Sequence, residues 1–439
     1  MYIARDIDTT LLEWKNEEER KPLLLRGVRQ CGKTSSVRNL GSTFKYYVEI
    51  NLEKNSSIRN LFVDDIDIHK IILQLELFSG TKIIDGQTLL FIDEIQKCPR
   101  AITALRYFLE DRPNLHVIAA GSLLEFFIGG EDDIEFPVGR VENIFMYPLS
   151  FLEYLSAIGK ENLRECMESD LSKLGLVGHN MLIDLYKEFL IIGGMPEAVK
   201  VYLKSGSFLD CQKVHRSIMT SFRDDFSKYS KKVPADILNS VFDFYLHNVC
   251  NQISTSNAIP GLSNYRFMVA ENLLHKAGIL FPVNSSDCQK LPLGAGDKNI
   301  RSKIILFDTG VYLTLLGLDT SELIASTTFD AINKGTVVEM MSGLELLKSQ
   351  NRYSESNLFY WYRSGANAEV DYVVQRGESI IPIEVKANTT GKMQSMQSYL
   401  KSHPNTPFGI RVSLEEYCIK DRIHIYPVYA AGQILRIKE

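Results

Sequence analysis

Eight residues, Gly27-Val-Arg-Gln-Cys-Gly-Lys-Thr34, have the composition and spacing of a loop that wraps around phosphate groups. Gly27 and Gly32 let the backbone curl until successive N–H groups point at phosphate oxygens, and a helix starting at the end of the loop adds favourable partial charge. In that arrangement Lys33 reaches the β- and γ-phosphates and the Thr34 hydroxyl ligates Mg2+. Val28, Arg29, Gln30, Cys31 and Ser35 complete the cradle. Farther along, Leu89-Leu-Phe-Ile-Asp-Glu94 is an apolar run closed by two acids. Asp93 can orient Mg2+ and Glu94 can polarise an attacking water, so the pair points to hydrolysis of the bound nucleotide. Two further residues are candidates for the same chemistry. Ser122 closes the run Ala119-Ala-Gly-Ser122 and would sense the terminal phosphate, and Arg140 in Pro137-Val-Gly-Arg140 would supply charge to the transition state. Their plainer readings are a helix cap for Ser122 and a surface ion-pair residue for Arg140. Whether Arg140 would act in its own subunit or a neighbour is not written in the sequence.

A second constellation lies near the other end of the chain. If Gly377-Glu378 is a two-residue hairpin loop, Arg376 faces Ser379 and Asp371 falls opposite Glu384. Opposed side chains have Cβ atoms about 4.5–5.5 Å apart, close enough for two carboxylates to share a cation. Alternation places Glu384 and Lys386 on one face of their strand, with Ile381, Ile383 and Val385 on the other. Such a group can hold Mg2+ and polarise water for attack on a phosphodiester, with Lys386 neutralising the developing charge. Glu339, on a helix read over 336–347, adds a further ligand or base.

The elements that must position these groups are legible in outline. Short apolar runs at 22–26, 46–51, 89–92 and 115–120 alternate with helical patterns, which indicates a parallel sheet covered on both faces. The first run enters the phosphate loop directly and a helix over 35–40 leaves it. In the middle, the helical pattern Met181–Leu190 stops at Gly193-Gly194-Met195-Pro196 and reads as part of a helical lid. Helices over 236–249 and 264–277, then strands over 278–283 and 303–307, have the order of a winged helix. Its loop region carries Lys290, Lys298, Arg301 and Lys303 against Asp287 and Asp297, a small basic excess within reach of phosphates. Strands at 358–362, 370–374 and 380–386 follow.

A chain of 439 residues is too long for one core and calls for several domains. The expected division is a P-loop ATPase domain over 1–155, a helical lid over 156–230, a winged-helix-like domain over 231–310 and a nuclease-like domain over 311–439. A net charge of −5 argues against coating nucleic acid through a general positive field, so any such contact is local. Seven scattered cysteines without metal-ligand spacing suit a reduced, cytoplasmic setting. The first residues lack the apolar core of a signal peptide, and no apolar run is long enough to span a membrane.

Four segments together carry a family resemblance: 23–34, Phe91-Ile-Asp-Glu-Ile-Gln96, Gly139-Arg140 with Tyr147-Pro-Leu-Ser-Phe151, and Ile192-Gly-Gly-Met-Pro-Glu-Ala198. The chain resembles prokaryotic predicted AAA-type ATPases in which the ATPase precedes a domain of unknown function related to restriction endonucleases. The resemblance spans nearly the whole chain and implies ATP rather than GTP, with Mg2+. Asp371, Glu384 and Lys386 are similar to the Asp and Glu-x-Lys of the restriction-endonuclease-like fold. The Gln and Tyr pairing of some nuclease subfamilies is offset here, at Gln394, Gln397 and Tyr399. The implied fold is α/β throughout: a parallel-sheet P-loop domain, a helical and winged-helix middle, and an α/β restriction-endonuclease-like end. The implied function is a Mg2+-dependent ATPase coupled to a nuclease-like region acting on nucleic acid. The alternative is a nucleotide-dependent signalling switch whose nuclease-like fold binds without cutting. Candidate partners are ATP, DNA or RNA, a second copy of the chain or another protein; a membrane is not among them.

Overall fold

The computed structural model describes residues 2–63, 66–121, 136–228, 233–253, 258–295, 302–317, 334–363, 368–387 and 393–436. They form two compact units. One holds Met1–Pro148 with Lys276–Gly278 and Arg352–Glu355, and the other holds Leu149–His275, Ile279–Asn351 and Ser356–Glu439. No helix among the described residues is long and apolar enough to cross a membrane.

The first unit is a five-stranded parallel sheet in the order β2-β3-β4-β1-β5. Its strands are β1 (Leu23–Gly27), β2 (Tyr46–Asn51), β3 (Thr88–Asp93), β4 (His116–Ala120) and β5 (Glu142–Met146). Every residue of β3 and β4 is buried, as expected of central strands covered on both faces. Leu90, Ile92, Val117 and Ala119 pack against Ile71, Ile72 and Leu75 of the helix Ile68–Ser79 and Ile102, Leu105 and Phe108 of the helix Pro99–Asp111. The first of these helices starts where Asp67 accepts hydrogen bonds from the N–H groups of His69 and Lys70, and stops at Gly80 with φ +66°. Strand β5 had no counterpart in the sequence reading. Its run Glu-Asn-Ile-Phe-Met buries only Ile144 and Met146, which is too weak an apolar signal to stand out. It is nevertheless in register with all five residues of β1.

His116 shows what this packing does to a titratable group. Its ring meets Trp14 and Phe44 edge-on, and its Nε2 lies 3.0 Å from the Lys15 carbonyl oxygen. Burial holds its pKa down at about 4, against an ordinary 6.5. A depressed histidine pKa leaves stability intact above 6.5 and removes it as pH falls toward 4, because the unfolded chain takes up the proton first. Acidification across that window should destabilise this unit by ~3 kcal/mol. His116→Phe should flatten the slope in denaturant titrations at pH 7 and pH 4.5; an unchanged slope would refute the assignment.

The second unit begins with helices. Ser150 caps the helix Phe151–Ala157 by accepting from the Glu153 N–H, and Glu153 accepts from the Ser150 N–H in return. The long helix Gly175–Ile192 ends at Gly193, whose φ of 70° and ψ of −177° are open only to glycine. The turn is held by Asp308, which accepts from the Gly194 N–H at 2.6 Å and from the Val311 N–H at 2.9 Å. The Gly-Gly-Met-Pro punctuation is therefore a docking point for the helix Thr309–Leu315 as well as a helix stop.

An eight-stranded mixed sheet completes this unit, in the order β12-β13-β11-β10-β9-β8-β6-β7. The strands are β6 (Leu280–Ser285), β7 (Ser302–Leu306), β8 (Leu358–Tyr362), β9 (Glu369–Arg376), β10 (Ser379–Val385), β11 (Gly409–Ser413), β12 (Cys418–Lys420) and β13 (Ile423–Pro427). The hairpin register matches expectation, with Arg376 opposite Ser379. The expected boundary at 310 is corrected by the pairing: β6 bonds antiparallel to β7 and parallel to β8, so the strands assigned to a separate wing belong to the C-terminal sheet. Lys303 is corrected with them. Its side chain is 2% exposed and ion-paired inside the unit, so it does not belong to a basic surface; Asp297, Lys298 and Arg301 lie outside the described residues.

Candidate nucleotide site and C-terminal acid cluster

The phosphate loop leaves β1 at its C-terminal end, the edge of a parallel sheet where ligands are bound. Gly27 has φ +145°, and a Cβ there would stand 2.1 Å from the Met146 carbonyl oxygen, so β5 and the loop approach each other through a space only glycine leaves. Gln30 takes φ 65° and Gly32 φ 108°, completing the curl before the helix Lys33–Gly41 begins. The arch is braced from behind, where Arg5 donates to the Cys31 carbonyl at 2.9 Å and to the Tyr147 carbonyl at 2.8 Å. Arg5 stands outside the motif, and nothing in its local sequence announced this part.

Lys33 is buried, and its Nζ donates to the Gly27 and Val28 carbonyls at 2.8 and 2.9 Å, at the centre of the loop. The Thr34 hydroxyl donates to Asp93 Oδ2 at 3.2 Å across from the end of β3. Two hard oxygens at that spacing suit adjacent positions of an octahedral Mg2+ shell, where metal–oxygen bonds of about 2.1 Å set neighbouring oxygens about 3 Å apart. Asn51, at the end of β2, adds an amide 3.5 Å from the same carboxylate oxygen; the sequence reading missed it because it lies on a different strand. Burial, and after it the charge of Glu94, pushes the Asp93 carboxyl up, which a divalent cation would reverse.

Glu94 follows in a left-handed conformation, φ 53° and ψ 42°, which is uncommon for a residue with a Cβ. Its Oε2 accepts from Gln96 Nε2 at 2.5 Å. The sequence shows no role for Gln96; its buried amide orients Glu94. Of the remaining candidates, Arg140 has its guanidinium 3.9 Å from Glu110 and a half-exposed side chain, and Ser122 lies outside the described residues.

In the second unit, the register of β9 and β10, continued one step past the Tyr372–Ile383 pair, sets Asp371 opposite Glu384. Asp371 Oδ2 accepts from the Val385 N–H at 2.7 Å, and Glu384 Oε1 is paired with Lys386 at 2.8 Å. Glu384 is buried, and its Oε2 has no hydrogen-bond partner. Glu339 comes from the helix Lys334–Lys348, which is fixed to β9 by the Tyr372 hydroxyl donating to the Glu339 carbonyl at 2.8 Å. The expected acids are thus brought together with a cation that was not expected. Lys303 Nζ lies 3.1 Å from Glu339 Oε1, pairs with Glu369, and sits 4.9 Å from the centre of the Tyr360 ring. Burial pushes the Glu339 carboxyl up to about 7, against the pull of Lys303 and with the help of the Asp371 charge. Asp371 is raised for the same first reason. The charges of Glu339, Asp371 and Glu369 overcome desolvation and raise the Lys303 ammonium above its ordinary range.

Residues 19–155 match the family model described as an AAA domain. They include the loop 27–34, Asp93 and Glu94, and all five strands of the parallel sheet. Residues 183–322 and 334–431 match two further families, each described as a domain of unknown function. Among solved structures, the Walker-type ATPase PABY2304 of Pyrococcus abyssi is 15% identical, covering 72% of this chain and 96% of that one with a TM-score of 0.43. PCH-2 of C. elegans is 13% identical, covering 51% of this chain and 68% of that one with a TM-score of 0.24. No curated protein matches.

Proposed function

We propose that this protein is a Mg2+-dependent ATPase whose hydrolytic cycle governs what its C-terminal unit binds. The observation that carries the reading is the Thr34 hydroxyl set 3.2 Å from Asp93, beside a Glu94 turned out of its strand. In the proposed site the loop amides and Lys33 bind the phosphates, and Mg2+ held at Thr34 and Asp93 supplies the charge that offsets the phosphate oxygens. Glu94 takes a proton from water, and Gln96 fixes the carboxylate for that task. Arg140 and Ser122 remain proposed contributors to the transition state. The output on this reading is a nuclease-like region working on DNA or RNA.

A second reading has its own observation in favour. The C-terminal acids meet the Lys303 ammonium, which suits a switch whose nuclease-like fold binds without cutting. Incubation of the wild type with single- and double-stranded DNA and RNA, with Mg2+ or Mn2+ and with or without ATP, separates the two. The second reading expects intact nucleic acid throughout. Degradation that disappears in Asp371→Ala and Lys386→Ala would instead establish a nuclease.

A further inference from the structure

A metal-dependent phosphodiesterase site needs carboxylate oxygens free to face a divalent cation. The acids on β9, β10 and the helix Lys334–Lys348 each commit at least one oxygen to an ammonium or an N–H donor. Lys303 reaches in from β7 with a side chain only 2% exposed. An ammonium buried so deeply is retained only where opposite charge and hydrogen-bond acceptors replace its water. Here the replacement is Glu339 Oε1 at 3.1 Å, the Glu369 carboxylate in direct contact, and the face of Tyr360. The other oxygen of Glu369 accepts from Gln252 Nε2 at 2.7 Å. Asp371 Oδ2 is held by the Val385 N–H and Glu384 Oε1 by Lys386.

We propose that the Lys303 ammonium is a tethered cation in the place a divalent metal would take, holding Glu339 and Glu369 together beside Asp371 without metal. The inference rests on the reading of this region as a module that does not cut. The acids fit Mg2+ poorly for two reasons. A divalent ion would enter against two fixed ammonium groups, Lys303 and Lys386. It would also have to displace the donors on Glu369 Oε2, Asp371 Oδ2 and Glu384 Oε1 to use those oxygens. The unpartnered Glu384 Oε2 belongs to a carboxylate already paired with Lys386. Removing the Lys303 charge should therefore open the cluster to a metal, because Glu339 Oε1 and Glu369 Oε1 lose their donor while the remaining contacts hold the acids in place.

The test uses the full-length protein without nucleotide and Mn2+ as the probe, with uptake read by the EPR signal of free Mn2+ and stability by thermal melting. Wild type and Asp371→Asn should take up the same Mn2+, since none resides in the cluster. Lys303→Met, which keeps an apolar stem over Tyr360, should melt lower than wild type. It should gain one Mn2+ per chain at least tenfold tighter than any wild-type site, and Mn2+ should raise its melting temperature. The double variant with Asp371→Asn should lose that gain. Wild-type uptake that Asp371→Asn abolishes would overturn the proposal, as would a cooperatively folded Lys303→Met without new uptake. If Lys303→Met does not fold unaided, refolding with Mn2+ supports the proposal, and failure to refold with Mn2+ while Lys303→Gln folds and takes up none overturns it. Nucleic-acid cleavage by the wild type would sink the non-cleaving reading itself; Mn2+ in the wild-type cluster without cleavage sinks only this inference.

Discussion

Glu94→Gln is expected to lower ATP turnover by about 10²–10⁴-fold while leaving nucleotide binding in place. The substitution keeps the size of the side chain and its contact with Gln96, but removes the carboxylate that accepts a proton from water. Thr34, Asp93 and the loop amides are untouched, so the ground-state complex should survive. Lys33→Ala should differ in kind. Its ammonium lies against the Gly27 and Val28 carbonyls at the centre of the loop, where it would meet the β- and γ-phosphates, so both binding and turnover should fall. Phosphate release and calorimetric titration with a non-hydrolysable ATP analogue report the two effects separately. Undiminished turnover in both variants would end the ATPase reading. Turnover lost only in Lys33→Ala would leave nucleotide binding in place and remove Glu94 from the mechanism.

The second large effect concerns the fold of the other unit. Gly193→Ala should destabilise it by ~3–5 kcal/mol, as read from denaturant midpoints. The added Cβ would stand 2.2 Å from Asp308 Oδ1, at a φ of +70°. Backbone strain of this kind costs on the order of 1–3 kcal/mol. A displaced Asp308 would also leave the Gly194 and Val311 N–H groups without their acceptor, at about 1–3 kcal/mol for each donor that stays buried. Asp308→Ala removes the acceptor without the strain and should lose less than the glycine variant. A Gly193→Ala midpoint within about 0.5 kcal/mol of wild type would show that the turn relaxes more easily than its geometry implies.

Both predictions use residues that the sequence had already singled out, and the reason is locality. The phosphate loop is eight consecutive residues whose glycines, lysine and threonine act through the backbone they themselves bend. Asp93 and Glu94 are adjacent, and the central strands β3 and β4 are continuous apolar runs. The hairpin that sets Asp371 against Glu384 needed only a two-residue turn and strict alternation, and its register is the one expected. Where the signal was weak the reading stopped short. Strand β5 alternates too faintly to be noticed, and β11 to β13 were not separated from their surroundings. Strands β6 and β7 were given to the wrong neighbours, because a strand's sequence reports that one face is buried but not which sheet buries it.

What the sequence by itself determined is therefore how neighbouring residues are placed: a glycine-bounded loop between a strand and a helix, two adjacent acids at the end of β3, and two opposed carboxylates near the C-terminal end. The tertiary structure alone decided what surrounds those groups. Arg5 braces the phosphate loop from 26 residues away. Lys303 meets Glu339 and Glu369 across separations of 36 and 66 residues, which turned a presumed surface cation into the buried counter-charge of the C-terminal acids. Charge acts through space in a low-dielectric interior, and the spacing of residues along a chain does not say which of them will meet there.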